Sequence, residues 1–253
     1  MLIDTHVHLN DEKLYETIND TIEEAVKNGV TKMIVVGYDL ESSKRAIAIA
    51  HQYPECYAAI GFHPTEIKNY DQKEYQWLED HCVDDRVVAI GECGFDFHWD
   101  TTTKEEQLIA FVKQIEIAKK YQLPLIIHSR DAIQLTYDTL KQHATMIGGV
   151  MHSYSGSVEM AKSFIKLHFY LGISGPVTFK NGKSMKEICE KIPREWLLSE
   201  TDSPYLTPHP YRGTINSPKY IPLILEEMAK LQQVDFMTMV DTIQKNVNRL
   251  FGV

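Results

Sequence analysis

Two histidines stand one residue apart near the start of the chain, in Asp4-Thr5-His6-Val7-His8. The apolar lead-in Met1-Leu2-Ile3 and the alternation after it predict a short β-strand, on which alternate side chains point to the same side. Two imidazoles projected together make half of a chelate and need only partners from elsewhere. Such partners recur. Apolar runs end in Gly61-Phe62-His63-Pro64, Ile90-Gly91-Glu92, Ile126-Ile127-His128-Ser129-Arg130-Asp131, Met151-His152-Ser153-Tyr154 and Ser199-Glu200-Thr201-Asp202. Charged and titratable groups that end otherwise buried strands are costly unless paired or coordinated. Their recurrence predicts one shared site.

The set His6, His8, Glu92, His128, His152 and Asp202 is too large for one catalytic zinc, which takes three protein ligands and keeps a position open. It suits two divalent ions with a shared carboxylate. Glu92 is the natural bridge, between a first site of His6, His8, Glu92 and Asp202 and a second of Glu92, His128 and His152. Imidazole and carboxylate without thiolate suit Zn²⁺ or Mn²⁺, with Mg²⁺ less natural for histidine. Cys93 follows Glu92, so strand alternation turns it away from the site.

Positioning such a set requires strands that deliver their ends to one place. The apolar runs are Leu2–Leu9, Lys32–Gly37, Cys56–Phe62, Val87–Cys93, Pro124–Ser129, Ile147–Tyr154, Phe169–Ser174 and Trp196–Asp202. Helical patterns lie between them, at Leu14–Asn28, Leu40–Tyr53, Lys73–Cys82, Lys104–Tyr121, Ala132–Gln142, Val158–Leu167 and Met185–Lys191. A final helical region covers Pro218–Gln233 and Phe236–Phe251. Asn28-Gly29 reads as a helix stop and Thr103 with Glu106 as a capping box. Eight βα units predict an α/β fold, a closed (β/α)8 TIM barrel with its site at the C-terminal ends of the strands. An open doubly wound sheet should carry a glycine-rich turn after its first strand, and Leu9-Asn10-Asp11 has none. No linker or low-complexity tract divides residues 1–253, which are expected to form a single domain.

Bulk composition narrows the function. A net charge of −9 argues against a surface that coats nucleic acid, but bound cations and a few local Arg or Lys can reverse the sign inside a pocket. The four cysteines, Cys56, Cys82, Cys93 and Cys189, have no framework spacing and fit reduced thiols. Met1-Leu2-Ile3 runs into Asp4 without a basic region, and no apolar run approaches a membrane span. A soluble cytoplasmic protein with no membrane partner is expected.

Taken together, the ordered motifs resemble the TatD family of metal-dependent hydrolases, within the amidohydrolase-like barrels. The resemblance rests on Ile3-Asp4-Thr5-His6-Val7-His8, Gly61-Phe62-His63-Pro64, Ile90-Gly91-Glu92-Cys93-Gly94-Phe95-Asp96, Pro124 to Ala132 and Glu200-Thr201-Asp202-Ser203-Pro204-Tyr205-Leu206. Arg212-Gly213 and Asn216-Ser217-Pro218 complete it. The sequence departs from the family's usual pattern at Phe95, at Trp99 in place of a common arginine, and at Ser153-Tyr154. The resemblance implies a divalent-metal deoxyribonuclease, typically a 3′-to-5′ exonuclease on single-stranded ends, so that single-stranded DNA or another phosphodiester is the expected substrate. Hydrolysis of a small amide, ester or lactone, or deacylation of a mischarged tRNA, are the alternatives on the same barrel.

For a hydrolase of this kind, Asp202 is the expected general base, with Glu92 beside it in the catalytic role. Glu200 shares a face with Asp202 and is expected to orient a histidine, with Asp4 and Asp96 as further supports. His63 is expected to contact phosphate or donate a proton to the leaving group. Arg130 and Arg212 are candidate phosphate clamps, although Arg130 could instead pair with Asp131 or Glu200. Lys180 and Lys183 read as solvated loop charges.

Overall fold

The computed structural model describes residues 1–253. Eight parallel strands run in sequence order around one sheet. They are β1 (Leu2–Val7), β2 (Val30–Val36), β3 (Cys56–Ile60), β4 (Val87–Asp96), β5 (Leu125–Arg130), β6 (Gly149–Met151), β7 (Phe169–Ile173) and β8 (Leu197–Ser199). The helices are α1 (Glu12–Tyr15), α2 (Ile18–Lys27), α3 (Leu40–Gln52), α4 (Gln72–His81), α5 (Lys104–Tyr121), α6 (Ile133–His143), α7 (Val158–Lys166), α8 (Lys183–Lys191), α9 (Ile221–Leu231) and α10 (Phe236–Phe251). The expected (β/α)8 barrel is the observed architecture.

Strands covered on both faces are near-continuously apolar, and every residue of β1, β4, β6, β7 and β8 is buried. Helix starts follow from local chemistry. Thr103 accepts from Glu106 N–H while Glu106 Oε2 accepts from Thr103 N–H at 2.6 Å, the reciprocal cap expected for α5. Asp39 and Asp71 cap α3 and α4 in the same way. Each such cap contributes about 1 kcal/mol. Gly29 ends the first helical stretch in the left-handed region, at φ +84°, where a side chain would be strained.

Several boundaries differ from the pattern-based expectation. The stretch Leu14–Asn28 is two helices, α1 and α2, because the chain leaves helical geometry at Thr17, whose φ and ψ are −114° and 23°. The sixth strand ends at Met151 and the eighth at Ser199, each several residues early. Ser153 and Asp202 both take left-handed backbone, so an apolar run there feeds a turn instead of more strand. The fourth strand runs farther than Cys93, to Asp96.

Closure of the ring between β8 and β1 uses side chains as much as backbone. Thr5 Oγ1 donates to Ser199 O, and Ser199 Oγ donates to Ile3 O at 3.0 Å. Past the strand end, Asp202 N–H donates to His6 O and His8 N–H to Ser203 O. Buried Asp4 accepts from Thr201 N–H at 2.9 Å and Thr201 Oγ1 at 2.6 Å. These contacts bring residues from opposite ends of the chain to one seam.

Candidate metal centre

At the C-terminal mouth, atoms of four residues converge. His6 Nε2 lies 3.1 Å from His8 Nε2 and 3.5 Å from Glu92 Oε2. Asp202 Oδ1 lies 3.8 Å from His6 Nε2 and 3.5 Å from His8 Nε2. A tetrahedral ion with bonds of about 2.0–2.1 Å holds its ligand atoms about 3.3–3.4 Å apart. The separations among His6, His8 and Glu92 suit one cation, and Asp202, 3.6 Å from His152 Nε2, groups in the same way with His6 and His152. The tautomer of His8 agrees: Nδ1 bonds to Val36 O at 2.9 Å, leaving the Nε2 lone pair toward the site.

A second grouping lies on the other side of Glu92. Its Oε1 is 2.8 Å from His128 Nδ1 and 4.0 Å from His152 Nε2. The two Glu92 oxygens thus face different imidazole pairs, Oε2 toward His6 and His8, Oε1 toward His128 and His152. The His6 and His152 rings stack with centroids 3.6 Å apart, tying the two groupings together.

Behind these side chains stand others that aim them. Asp96 Oδ2 lies 2.9 Å from His128 Nε2 and Glu92 Oε1 2.8 Å from its Nδ1, so the two carboxylates fix the ring with Nδ1 turned to Glu92. Glu200 Oε1 lies 2.8 Å from His152 Nδ1 and accepts Ser153 N–H at 2.6 Å. Asp4, expected among these supports, reaches no imidazole ring; its carboxylate bonds Thr201 and the His6 backbone N–H. Its place is the β1–β8 seam, where it sets the backbone that carries His6 and Asp202.

Several positions that serve the mouth were not singled out by residue type. On α5, buried Gln114 exchanges two hydrogen bonds with the backbone of Phe62, and Gln107 two with that of Asp96. These glutamines stand seven apart on one helix face and fix the chain just before His63 and at Asp96. Their signal was a polar residue repeated at helical spacing inside an apolar face. On β7, a Cβ at Gly172 would lie 2.2 Å from Glu200 Oε2, so the missing side chain makes room for the carboxylate. A glycine within a buried strand marks such a close approach.

Charge follows from this arrangement. Burial alone would raise Glu92, but the charge of His152 and the contacts from His128 and His6 hold the carboxyl well below its ordinary range. Burial works against charge on His152 too, yet the Glu200, Asp202 and Glu92 carboxylates push it up to about 10. The mouth favours positive charge, whether carried by protons or by divalent cations. His63 behaves otherwise: desolvation and the neighbouring His128 push it down to about 3. It is a neutral imidazole at pH 7. Its Nδ1 lies 2.7 Å from Thr65 Oγ1, which donates to Glu66 Oε1, and 3.2 Å from Thr65 N, so Thr65 occupies that edge of the ring and Nε2 is the nitrogen left without a hydrogen-bond partner in the protein.

A cleft of about 540 Å³ opens over these groups and is lined by His8, His63, Glu92, His128, His152 and Asp202, with Arg130 at its rim. Arg130 makes no ion pair with Asp131 or Glu200; its guanidinium lies 5.9 Å from the centroid of the Trp99 ring. Arg212 lies apart from the cleft, stacked 4.1 Å over Phe179. Lys183, read above as an ordinary loop charge, lines an adjoining cavity that also touches His128, His152 and Asp202. A larger cleft of about 790 Å³ lies at the opposite end of the strands, near Pro124, Gly148 and Trp196, and contains none of these groups.

An eight-stranded parallel barrel whose strand ends gather histidines and carboxylates defines a metal-dependent hydrolase. The chain belongs to the TatD related DNase family, whose model matches residues 3–252. It is 41% identical over 254 residues to the metal-dependent hydrolase YabD of Bacillus subtilis, covering 100% of both chains. It is 32% identical over 259 residues to the 3′-5′ ssDNA/RNA exonuclease TatD of Escherichia coli, covering 100% of this chain and 99% of that one. The crystal structure of YjjV, a TatD homologue from Escherichia coli, superposes with a TM-score of 0.95 at 29% identity, covering 100% of this chain and 98% of that one. No helix is long and apolar enough to cross a membrane.

Proposed function

We propose that residues 1–253 form one catalytic domain that hydrolyses phosphodiester bonds in single-stranded DNA from the 3′ end, using two divalent cations. The observation that carries the reading is Glu92, whose two oxygens point to separate imidazole pairs as a bridging carboxylate requires. The first cation would be held by His6, His8, Glu92 and Asp202, and the second by Glu92, His128 and His152. The donor set of imidazole and carboxylate suits Zn²⁺ or Mn²⁺ and admits Mg²⁺. When bound, the cations supply Lewis acidity that lowers the pKa of water and offsets charge on the phosphoryl group.

The chain's own groups complete the chemistry. Asp202, kept ionised against burial by His152 and His8, accepts the proton of the attacking water. In its Nε2–H tautomer, neutral His63 donates to a phosphoryl oxygen. A ring held so far below pH 7 carries no second proton for the leaving group, so hydrogen bonding is the better of its two expected roles. Arg130 at the rim offers paired donors to a phosphate. Asp96 and Glu200 keep His128 and His152 in their binding tautomers.

The test is purified protein loaded with Mn²⁺, Zn²⁺ or Mg²⁺ and offered single-stranded DNA labelled at either end, an aryl phosphodiester, an aminoacyl-tRNA and a panel of cyclic amides and lactones. Stepwise loss of 3′ nucleotides is expected. Asp202→Asn should lower kcat by about 10²- to 10⁴-fold, the scale of a lost general base. Turnover of amides, lactones or aminoacyl esters with DNA left intact would overturn the reading.

A further inference from the structure

The mouth of the barrel is forked. One arm, about 540 Å³, carries Tyr38, Trp99 and Tyr205 together with the acids Asp11 and Glu66. The other, about 450 Å³, carries Lys183, Asn181, Ser153 and Ser155, and its only carboxylate is Asp202. Both arms share His128, Arg130, His152 and Asp202, so they meet over the metal cluster.

Their chemistry differs in a way a polyanion would feel. Asp11 and Glu66 repel a phosphate, whereas an uncharged nucleoside has a base to stack on exposed aromatic rings. Trp99 is 55% exposed and Tyr205 46%, a large apolar area left open beside a catalytic cluster. Across the fork, Lys183 has no carboxylate within 4.0 Å and is free to take an anion. Its backbone is set by Gly182, where a Cβ would stand 2.1 Å from Pro176 O. Arg130, lying over the Trp99 face, marks the junction.

We propose that the fork sorts a single strand by charge. The terminal nucleoside, with no phosphate beyond the scissile one, occupies the aromatic arm. The rest of the strand departs over Arg130 and Lys183, with Lys183 gripping the phosphate next to the one being cleaved. The idea rests on the nuclease reading above and gives the substrate a direction in the cleft. Lys183 is then a positioning residue for strands and has nothing to hold in a substrate that ends at the scissile phosphate.

Two substrates separate the arms: a single-stranded oligonucleotide, and the p-nitrophenyl ester of thymidine 5′-monophosphate, which has the terminal nucleoside but no further phosphate. Lys183→Ala should lower kcat/KM on the oligonucleotide about tenfold relative to the ester, the scale of one charge-assisted contact, with the loss in KM. The dependence of log kcat/KM on log salt should flatten by about 0.7, as for one phosphate contact on a single strand. Lys183→Arg should restore both. Lys180→Ala removes the same charge from a loop position lining neither arm and should change neither substrate. An unchanged oligonucleotide-to-ester ratio in Lys183→Ala, or an equal fall in Lys180→Ala, overturns the fork. Wild-type protein that cleaves the ester and spares the oligonucleotide overturns the nuclease reading itself, and the fork with it.

Discussion

Glu92 and Asp4 are both buried carboxylates of barrel strands, yet they behave oppositely. Glu92 looks onto His6, His8 and His128 and is held well below the ordinary carboxylate range against its own burial. Asp4 looks onto Thr201 and a backbone N–H, with Glu200 as its charged neighbour, and burial pushes it up to about 7. Burial is common to the two; the partners differ. Imidazoles make the mouth a place that keeps negative charge ready for cations. Hydroxyl and amide donors make the β1–β8 seam a joint in which charge serves no purpose. Wherever a carboxylate lies in this barrel, its neighbours decide whether it is chemical or structural.

The contrast sharpens into measurements. Glu200→Gln and Asp96→Asn remove the groups that aim His152 and His128, and each should weaken cation affinity about 10- to 100-fold while leaving the circular dichroism spectrum unchanged. Titration of the metal-free proteins with Zn²⁺ measures this, and unaltered affinity would put Glu200 and Asp96 on the structural side of the comparison. A smaller effect is expected at the seam. A carboxyl raised from 3.8 to about 7 keeps its proton in the folded protein where the unfolded chain has lost it. Its contribution to stability is full below the ordinary carboxylate range and is lost as pH rises through about 7. Asp4→Asn cannot ionise, so the metal-free variant should gain on the metal-free wild type between about pH 4 and about pH 7 and hold level above that. Urea unfolding of both across that range is the check, and parallel curves would mean that Asp4 is an anion like Glu92. The smallest effect concerns the thiols. All four cysteines are buried, and burial pushes Cys56 and Cys189 up to about 12. Native protein should react negligibly with a thiol reagent at pH 8, and the unfolded chain at all four positions.

The barrel was legible because each strand is an apolar run, and the mouth because metal-capable residues end those runs. His6, His8, Glu92, His128, His152 and Asp202 carry their meaning in residue type and position. What stayed hidden depends on pairings that no periodicity encodes. Gln107 and Gln114 look like neutral helix residues until their amides are seen bonded to strand ends. Gly172 acts by lacking a side chain, and Lys183 lines the cavity beside the mouth because α8 begins there. Residue type alone also says nothing of where Arg212 lies: its chain segment stacks it on Phe179, outside the lining of the cleft. The ends of β6 and β8 were overextended because apolar composition continues into turns where Ser153 and Asp202 adopt left-handed backbone.

The Asp4–Thr201 bond joins residues 197 apart in the chain. Because the same junction lays Asp202 against His6, a nascent polypeptide has no complete mouth until residue 202 has been made. A proteolytic fragment that loses β1 forfeits His6 and His8, and one that loses the segment after β8 forfeits Asp202. The ring acts as its own safety catch, since the hydrolytic mouth is complete only when the circle is joined.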